Sequence, residues 1–204
     1  MFETLFAQMM ASGALELIAV VLAIVYLLLV MREHIACWYA AFVSTAIFLY
    51  IFSDVKLYME SGLQVYYLAM AVYGWSQWRK GEGHSKAGKT LLISRWRLQQ
   101  HAVALLLILV ATASTTILLQ TYTDAELPLL DSFTTWGAIV TTFMVARKIL
   151  ENWIYWLVID AISIYLYVDR ELYFTALLFA VYIVIIFFGW ATWLRRYRNQ
   201  PRSA

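Results

Sequence analysis

Cysteine, proline and charge are all scarce in this chain, and each scarcity closes off a class of protein. One cysteine, Cys37, in 204 residues leaves no internal disulfide and no cysteine-rich metal site. The three histidines, His34, His84 and His101, show no HExxH or other ligand spacing, so no metal centre is expected. Only 14% of residues are charged, where soluble domains carry about 25%. What is present instead is apolar: 63% hydrophobic residues, 17% aromatic, nine Trp, and a mean hydropathy of +0.71. No soluble domain fits outside the apolar runs, and the composition is that of a membrane protein. A net charge of +2 gives no reason to expect a nucleic-acid partner.

Seven apolar stretches come close to or reach the roughly 17–25 residues that cross a bilayer. They lie near 13–31, 35–52, 62–78, 101–122, 132–147, 152–168 and 172–194. The first has no basic n-region and runs too long for a cleaved signal sequence. Placing the N-terminus outside puts Arg32, Arg79, Lys80, Lys86, Lys89, Arg95 and Arg97 in the cytoplasm, with Arg147, Lys148, Arg195, Arg196, Arg198 and Arg202. Only Lys56 and Arg170 remain outside, and the outer loop Thr123 to Asp131 is acidic. That asymmetry predicts seven helices with the N-terminus out and the C-terminus in.

Sliding the sequence on itself by 115 residues (147 minus 32) aligns REHIACWYAAFVSTAIFLYIFSDVKLY with RKILENWIYWLVIDAISIYLYVDRELY. Arg32 meets Arg147, Trp38 meets Trp153, Asp54 meets Asp169, and GWSQW (Gly74 to Trp78) meets GWATW (Gly189 to Trp193). Three Trp and a Gly at one ungapped offset indicate an internal duplication. Each copy holds three helices, an odd number, so a linker helix must restore the orientation of the second copy. The expected architecture is all-α, with repeat 1 at about 13–80, a linker helix at about 101–122 and repeat 2 at about 131–196. Such a 3+1+3 arrangement of parallel repeats is the SWEET-type plan, in which substrate sits near the midplane between repeats.

The polar groups within the spans are few and ordered. Asn152, Trp156, Asp160, Ser163 and Tyr167 follow a 4-4-3-4 spacing and form one stripe on the sixth helix. Asp160 falls at mid-span, where a carboxylate costs about 2.5–3.5 kcal/mol and needs a cavity or a partner. On the third helix Gln64, Tyr67, Ala71 and Trp75 make a similar face beside Gly74. The first-copy equivalents of Asn152, Trp156 and Asp160 are Cys37, Ala41 and Thr45, and the second-copy equivalent of Gln64 is Phe179. What repeats reads as architecture, and what fails to repeat reads as fitted to an asymmetric ligand.

Plainer roles compete for several of these residues. Trp38, Trp78, Trp96, Trp153 and Trp193, near span ends, are expected as interfacial anchors. Asn152 is a possible cap of its helix, Ser163 a possible back-bond to its own helix. Glu16 is placed either beside Asp160 or near the outer surface. Arg147 and Glu151, four apart, are expected to pair. The octapeptide GHSKAGKT (Gly83 to Thr90) fits the phosphate-loop pattern GxxxxGK[ST], but the strand and helix that give the pattern meaning are missing. No cofactor is expected, and the lysines there count as inner-side charge.

With these helices in place, LQVYYLAMAVYGWSQW and LLDSFTTW…ARKILENWIYWLVID resemble the PnuC family of bacterial vitamin transporters, over nearly the whole chain. The resemblance implies a multi-pass protein of the inner membrane, a homotrimer with one pathway per protomer. It also implies facilitated diffusion with trapping by a cytoplasmic vitamin kinase. It maps the vitamin site onto Gln64, Tyr67, Trp75, Asn152, Trp153, Trp156 and Asp160, and Ser163 joins them from the stripe. Founding members carry nicotinamide riboside, and a branch called PnuT carries thiamine. This chain departs from the riboside-carrying pattern, which has Asn at the position of Asp160 and a Glu near Leu178. A carboxylate accepts from the adjacent donors of an aminopyrimidine, whereas a carboxamide wants one donor and one acceptor. Thiamine is therefore narrowly preferred over nicotinamide riboside. A sugar carrier is disfavoured because Pro128 and Pro201 both lie outside the spans, whereas SWEET-type repeats carry a proline in the first helix of each copy. An intramembrane enzyme is disfavoured because the sixth helix offers Asp160 no second acid or base.

Overall fold

A chain inside hydrocarbon has to satisfy its own backbone, and each of the seven apolar stretches does so as one helix. The computed structural model describes residues 13–54, 58–79, 91–123 and 127–201. Its helices are α1 (Ala14–Met31), α2 (Cys37–Asp54), α3 (Tyr58–Arg79), α4 (Leu98–Tyr122), α5 (Pro128–Ala146), α6 (Asn152–Asp169) and α7 (Tyr173–Asn199). No strand occurs among the described residues, only a bridge between Ser94 and Ile149. Lys56, Lys80, Lys86, Lys89, Arg202 and the octapeptide Gly83 to Thr90 lie outside the described residues.

Five helices are long and apolar enough to cross a membrane by length and composition: α1, α2, α4, α5 and α7. The other two, α3 and α6, carry every candidate site residue. Their polar stripes are what lower their hydropathy.

Contacts among the described residues run α1 to α2, α2 to α3, α3 to α5, α5 to α6, α6 to α7, and α7 back to α1. Six helices thus close a ring in which α2 and α6 do not touch. Helix α4 packs along α5 through the buried stripe Ala104, Ile108, Thr112 and Thr116, and its His101 stacks on Tyr155 of α6, Nδ1 lying 2.9 Å from the hydroxyl. Small side chains every fourth residue let α4 and α5 approach closely.

The C-terminal ends of α1 and α5 are built alike. Backbone N–H groups of Glu33 and His34 donate to Val30 and Leu29, and those of Lys148 and Ile149 donate to Val145 and Met144. Both sets form the paired closing bonds of a Schellman motif. The left-handed position that usually takes Gly is held here by Glu33 (φ 55°) and Lys148 (φ 51°). A side chain costs about 1–2 kcal/mol there. In return the two side chains meet: Lys148 Nζ lies 2.9 Å from Glu33 Oε2, and Arg196 Nη1 lies 3.0 Å from Glu33 Oε1. Glu33 and Lys148 are themselves 115 residues apart.

Truncating Glu33 should therefore cost more than truncating Lys148. Lys148→Met leaves Glu33 with Arg196, whereas Glu33→Gln leaves a nearly buried ammonium without a carboxylate. A difference of about 2 kcal/mol is expected, and thermal midpoints of the two variants in detergent measure it. Equal midpoints would show that Arg196 does not compensate Glu33 when Lys148 is removed.

Beside this ion pair four indoles fill the ring. Trp38 meets Trp78 edge-on (5.4 Å, 87°), Trp78 meets Trp193 (6.5 Å), and Trp193 meets Trp153 edge-on (5.5 Å, 90°). Trp78 Nε1 donates to the carbonyl of Ala146 at the end of α5, and Trp193 Nε1 to that of Val30 near the end of α1. Gly74 and Gly189 lie directly against the rings of Trp38 and Trp153. These four Trp are no more than 4% exposed, so they are core residues and not the interfacial anchors their span-end positions suggested. The reason is the pair of glycines, which makes room for an indole between neighbouring helices. Trp96 alone among the five is outside this layer, half-buried against His101.

The segment before α4 straps this end of the ring. Ser94 exchanges backbone bonds with Lys148 and Leu150, and Gln200 Nε2 donates to the Ile93 carbonyl. Arg95 pairs with Glu151 at 2.6 Å, an interaction that raises the guanidinium pKa further above its ordinary value. Glu151 is therefore not the partner of Arg147. The strap brings Arg95 closer, and Arg147 turns to the Tyr73 hydroxyl at 3.4 Å.

Candidate functional site

The stripe on α6 faces the interior of the ring. Asn152, Asp160 and Ser163 are buried along it, and Trp156 and Tyr167 are half-buried. Asp160 is 3% exposed, and no salt bridge among the described residues reaches it. What faces it is phenolic. The Asp160 carboxylate lies in electrostatic range of the Tyr67 hydroxyl on α3 and the Tyr182 hydroxyl on α7. Both of these also lie in electrostatic range of Tyr167, and Tyr26 on α1 lies in range of Tyr67. Phe179 lies between Tyr167 (5.1 Å) and Tyr182 (5.4 Å). Two phenols, from α3 and α7, thus face one carboxylate halfway along α6, with Tyr167 in range of both.

Gln64 is half-buried and one turn from Tyr67 on the same side of α3. Together with Asp160 and Ser163, these form the central group of the sequence-derived set. The rest are placed differently. Asn152 and Trp153 belong to the floor at the basic end: Asn152 is fully buried and its Nδ2 donates to the Ile149 carbonyl at 2.6 Å. That bond ties it to the preceding turn rather than capping α6 through an acceptor, and its Oδ1 has no hydrogen-bond partner among the described residues. Trp156 packs half-buried against the indole layer, one turn from both Asn152 and Asp160. Trp75 turns toward α2, donating from Nε1 to the hydroxyl of Tyr39, itself exposed, with the Arg79 guanidinium 4.8 Å from its ring. Glu16 is half-buried in the first turn of α1, the end remote from the indole layer.

Tyr26, Phe179 and Tyr182 were not read from the sequence as site residues, and Tyr167 was read only as part of the stripe. One signal for Tyr182 was present: the 115-residue offset pairs it with Tyr67. Both members of that pair lie in range of Asp160, a carboxylate that does not repeat.

Chemically, a buried carboxylate offers a counter-charge, the phenols offer hydroxyls, and the rings offer π faces. That combination suits a flat, positively charged molecule. Among the described residues no group of three His, Cys, Asp or Glu is placed to hold a metal ion.

Residues 13–195 match the family described as Nicotinamide mononucleotide transporter. The chain is similar to the riboflavin/roseoflavin transporter RibM of Streptomyces davaonensis, 25% identical over 189 residues that cover 92% of this chain and 87% of that protein. It is similar to the nicotinamide riboside transporter PnuC of Escherichia coli strain K12, 23% identical over 197 residues that cover 84% of this chain and 81% of that protein. Its fold is similar to the crystal structure of the vitamin B3 transporter PnuC, with a TM-score of 0.75, 20% identity, and coverage of 98% of this chain and 91% of that one.

Proposed function

The chain belongs to the nicotinamide mononucleotide transporter family, and on that premise we propose that it takes up a cationic heteroaromatic vitamin by facilitated diffusion, thiamine foremost. Its relatives are transporters, and with five strongly apolar helices it is a multi-pass transporter of the bacterial inner membrane, not an enzyme.

One observation carries the substrate reading: Asp160, buried at mid-helix among Tyr67, Tyr167 and Tyr182. A carboxylate in that setting has to be matched by positive charge on the ligand. An uncharged flavin gives it none, and both thiamine and nicotinamide riboside do. The second reading, nicotinamide riboside, is favoured by the similarity to PnuC and by Gln64, whose amide matches a carboxamide. Thiamine stands first because a carboxylate accepts from the exocyclic amino group of its aminopyrimidine.

The reading includes a 3+1+3 architecture, with repeat 1 at about 13–80, α4 as the linker and repeat 2 at about 131–196. The reciprocal contacts α3 to α5 and α7 to α1 support it, as do the equivalent Gly–Trp packings in the two halves. The C-terminal ends of α1, α3, α5 and α7 share one end with Arg32, Arg79, Arg147, Lys148 and Arg196. By the positive-inside rule that end is cytoplasmic, with the N-terminus out and the C-terminus in. Uptake is trapped by a cytoplasmic kinase that phosphorylates the vitamin, and three protomers assemble, each with its own pathway.

Proteoliposomes enclosing thiamine kinase and ATP should accumulate labelled thiamine without an ion gradient. The same vesicles with a riboside kinase test the second reading. Accumulation of neither vitamin, in protein that retains its thermal midpoint, would end both.

A further inference from the structure

The helix ring leaves α4 packed along α5 and tied to α6 at its basic end, where His101 Nδ1 lies 2.9 Å from the Tyr155 hydroxyl, and beside the α5 contact lies a cavity of about 830 Å³ that the substrate site does not use. Its two walls share one polarity order. Along α4, from the basic end inward, Gln99 and Gln100 give way to Val103, Ala104 and Leu107. Along α5, Arg147 gives way to Phe143, Val140 and Ile139. The strap contributes Ser94, Arg95 and Trp96 at the polar end. At the back, Tyr66 donates its hydroxyl to the Ile139 carbonyl at 2.8 Å and separates the cavity from its neighbour Tyr67 in the central site.

The charge at the polar end is unequal. Glu151 neutralises Arg95, whereas Arg147 meets no carboxylate among the described residues, only the Tyr73 hydroxyl. One uncompensated guanidinium, two amide side chains and a Trp therefore stand above an apolar slot. We propose that this groove binds an anionic phospholipid of the inner leaflet, its phosphate on Arg147 and Gln99 and an acyl chain between Val103, Leu107, Val140 and Phe143. A headgroup at the level of the helix ends and a chain pointing toward the midplane reproduce the polarity order of both walls. Basic clefts between helices on the cytoplasmic side are suited to such headgroups. The inference is independent of which vitamin the central site takes.

Native mass spectrometry of the full-length protein, released from nanodiscs of phosphatidylglycerol and phosphatidylcholine in equal amounts, tests it. Retained adducts should be predominantly phosphatidylglycerol. Arg147→Gln should reduce them about fivefold, the loss expected for one basic contact near the surface. Val140→Trp, which fills the slot and leaves Arg147 in place, should reduce them as well. Equal retention of the two lipids, or adducts indifferent to both substitutions, would overturn the proposal. Displacement of the lipid by millimolar glycerophosphate would show that the site reads free phosphate. Oxidative cross-linking of Gln99→Cys between copies in the bilayer would show that a second chain fills the groove. Either outcome sinks the lipid.

Discussion

Asp160→Asn should weaken binding of thiamine by about 10- to 100-fold, the range expected when a charged hydrogen bond worth about 1.5–3 kcal/mol is lost. The substitution keeps size and shape, so packing on α6 is preserved. Stability should move the other way. Asp160 is 3% exposed and meets no cation among the described residues, so in its ionised form without ligand it is a charge held in the interior at a cost. The thermal midpoint of the empty Asn variant should equal or exceed that of the parent, while the shift produced by thiamine shrinks. Titration of the quenching of the nine Trp reports the affinity, and thermal scans with and without vitamin report the rest.

The riboside arm of the same experiment separates the two substrates. An Asn at this position supplies both a donor and an acceptor for a carboxamide. If nicotinamide riboside binds the Asn variant as well as it binds the parent, or better, while thiamine is lost, Asp160 selects the aminopyrimidine. If riboside affinity falls with thiamine affinity, the carboxylate reads only positive charge. Unchanged affinity for both would remove Asp160 from the site. Tyr182→Phe supplies a graded companion, because it removes one hydroxyl from range of Asp160 and keeps the ring beside Phe179. A loss of about fivefold is expected, in line with one neutral hydrogen bond.

Much of the helical arrangement was legible in the sequence, because a membrane makes helices obligatory. The seven helices, the stripe on α6 and the placement of Asp160 within it follow from period and composition alone. What escaped was decided by contacts between helices distant in sequence. Nothing local to Trp38 or Trp153 distinguishes an interfacial indole from one buried over Gly74 or Gly189. Arg147 and Glu151 satisfy the spacing of a helical pair, yet a strap more than fifty positions upstream supplies Arg95 instead. Trp75 shares a helical face with Gln64 and Tyr67, but Tyr39 on α2 draws it aside. Tyr182, the repeat equivalent of Tyr67, went unread because its position in range of Asp160 depends on how α6 and α7 pack.

The largest effect on the fold itself should come from adding one methyl group at Gly189. A Cβ there would overlap the six-membered ring of Trp153, and one at Gly74 would overlap that of Trp38. Neither ring can yield easily, because Trp153 is wedged edge-on against Trp193 and Trp38 edge-on against Trp78. Overpacking of this kind costs typically 1–3 kcal/mol and sometimes more, and both variants belong at the upper end, about 3 kcal/mol. Gly62 on α3 supplies the control, since nothing lies within 4 Å of its would-be Cβ. Gly62→Ala should stabilise α3 by up to about 1 kcal/mol through helix propensity alone. The clash predicts a further sign. Trp153→Leu removes the overlapping ring, so in the Gly189→Ala background it should cost at least about 1 kcal/mol less than it does in the parent. Additive midpoints in that cycle would mean that the glycine is not there for the indole. A favourable coupling, repeated for Gly74 with Trp38, would tie both halves of the ring to the same packing device and leave the unrepeated residues, Asp160 first among them, to the ligand.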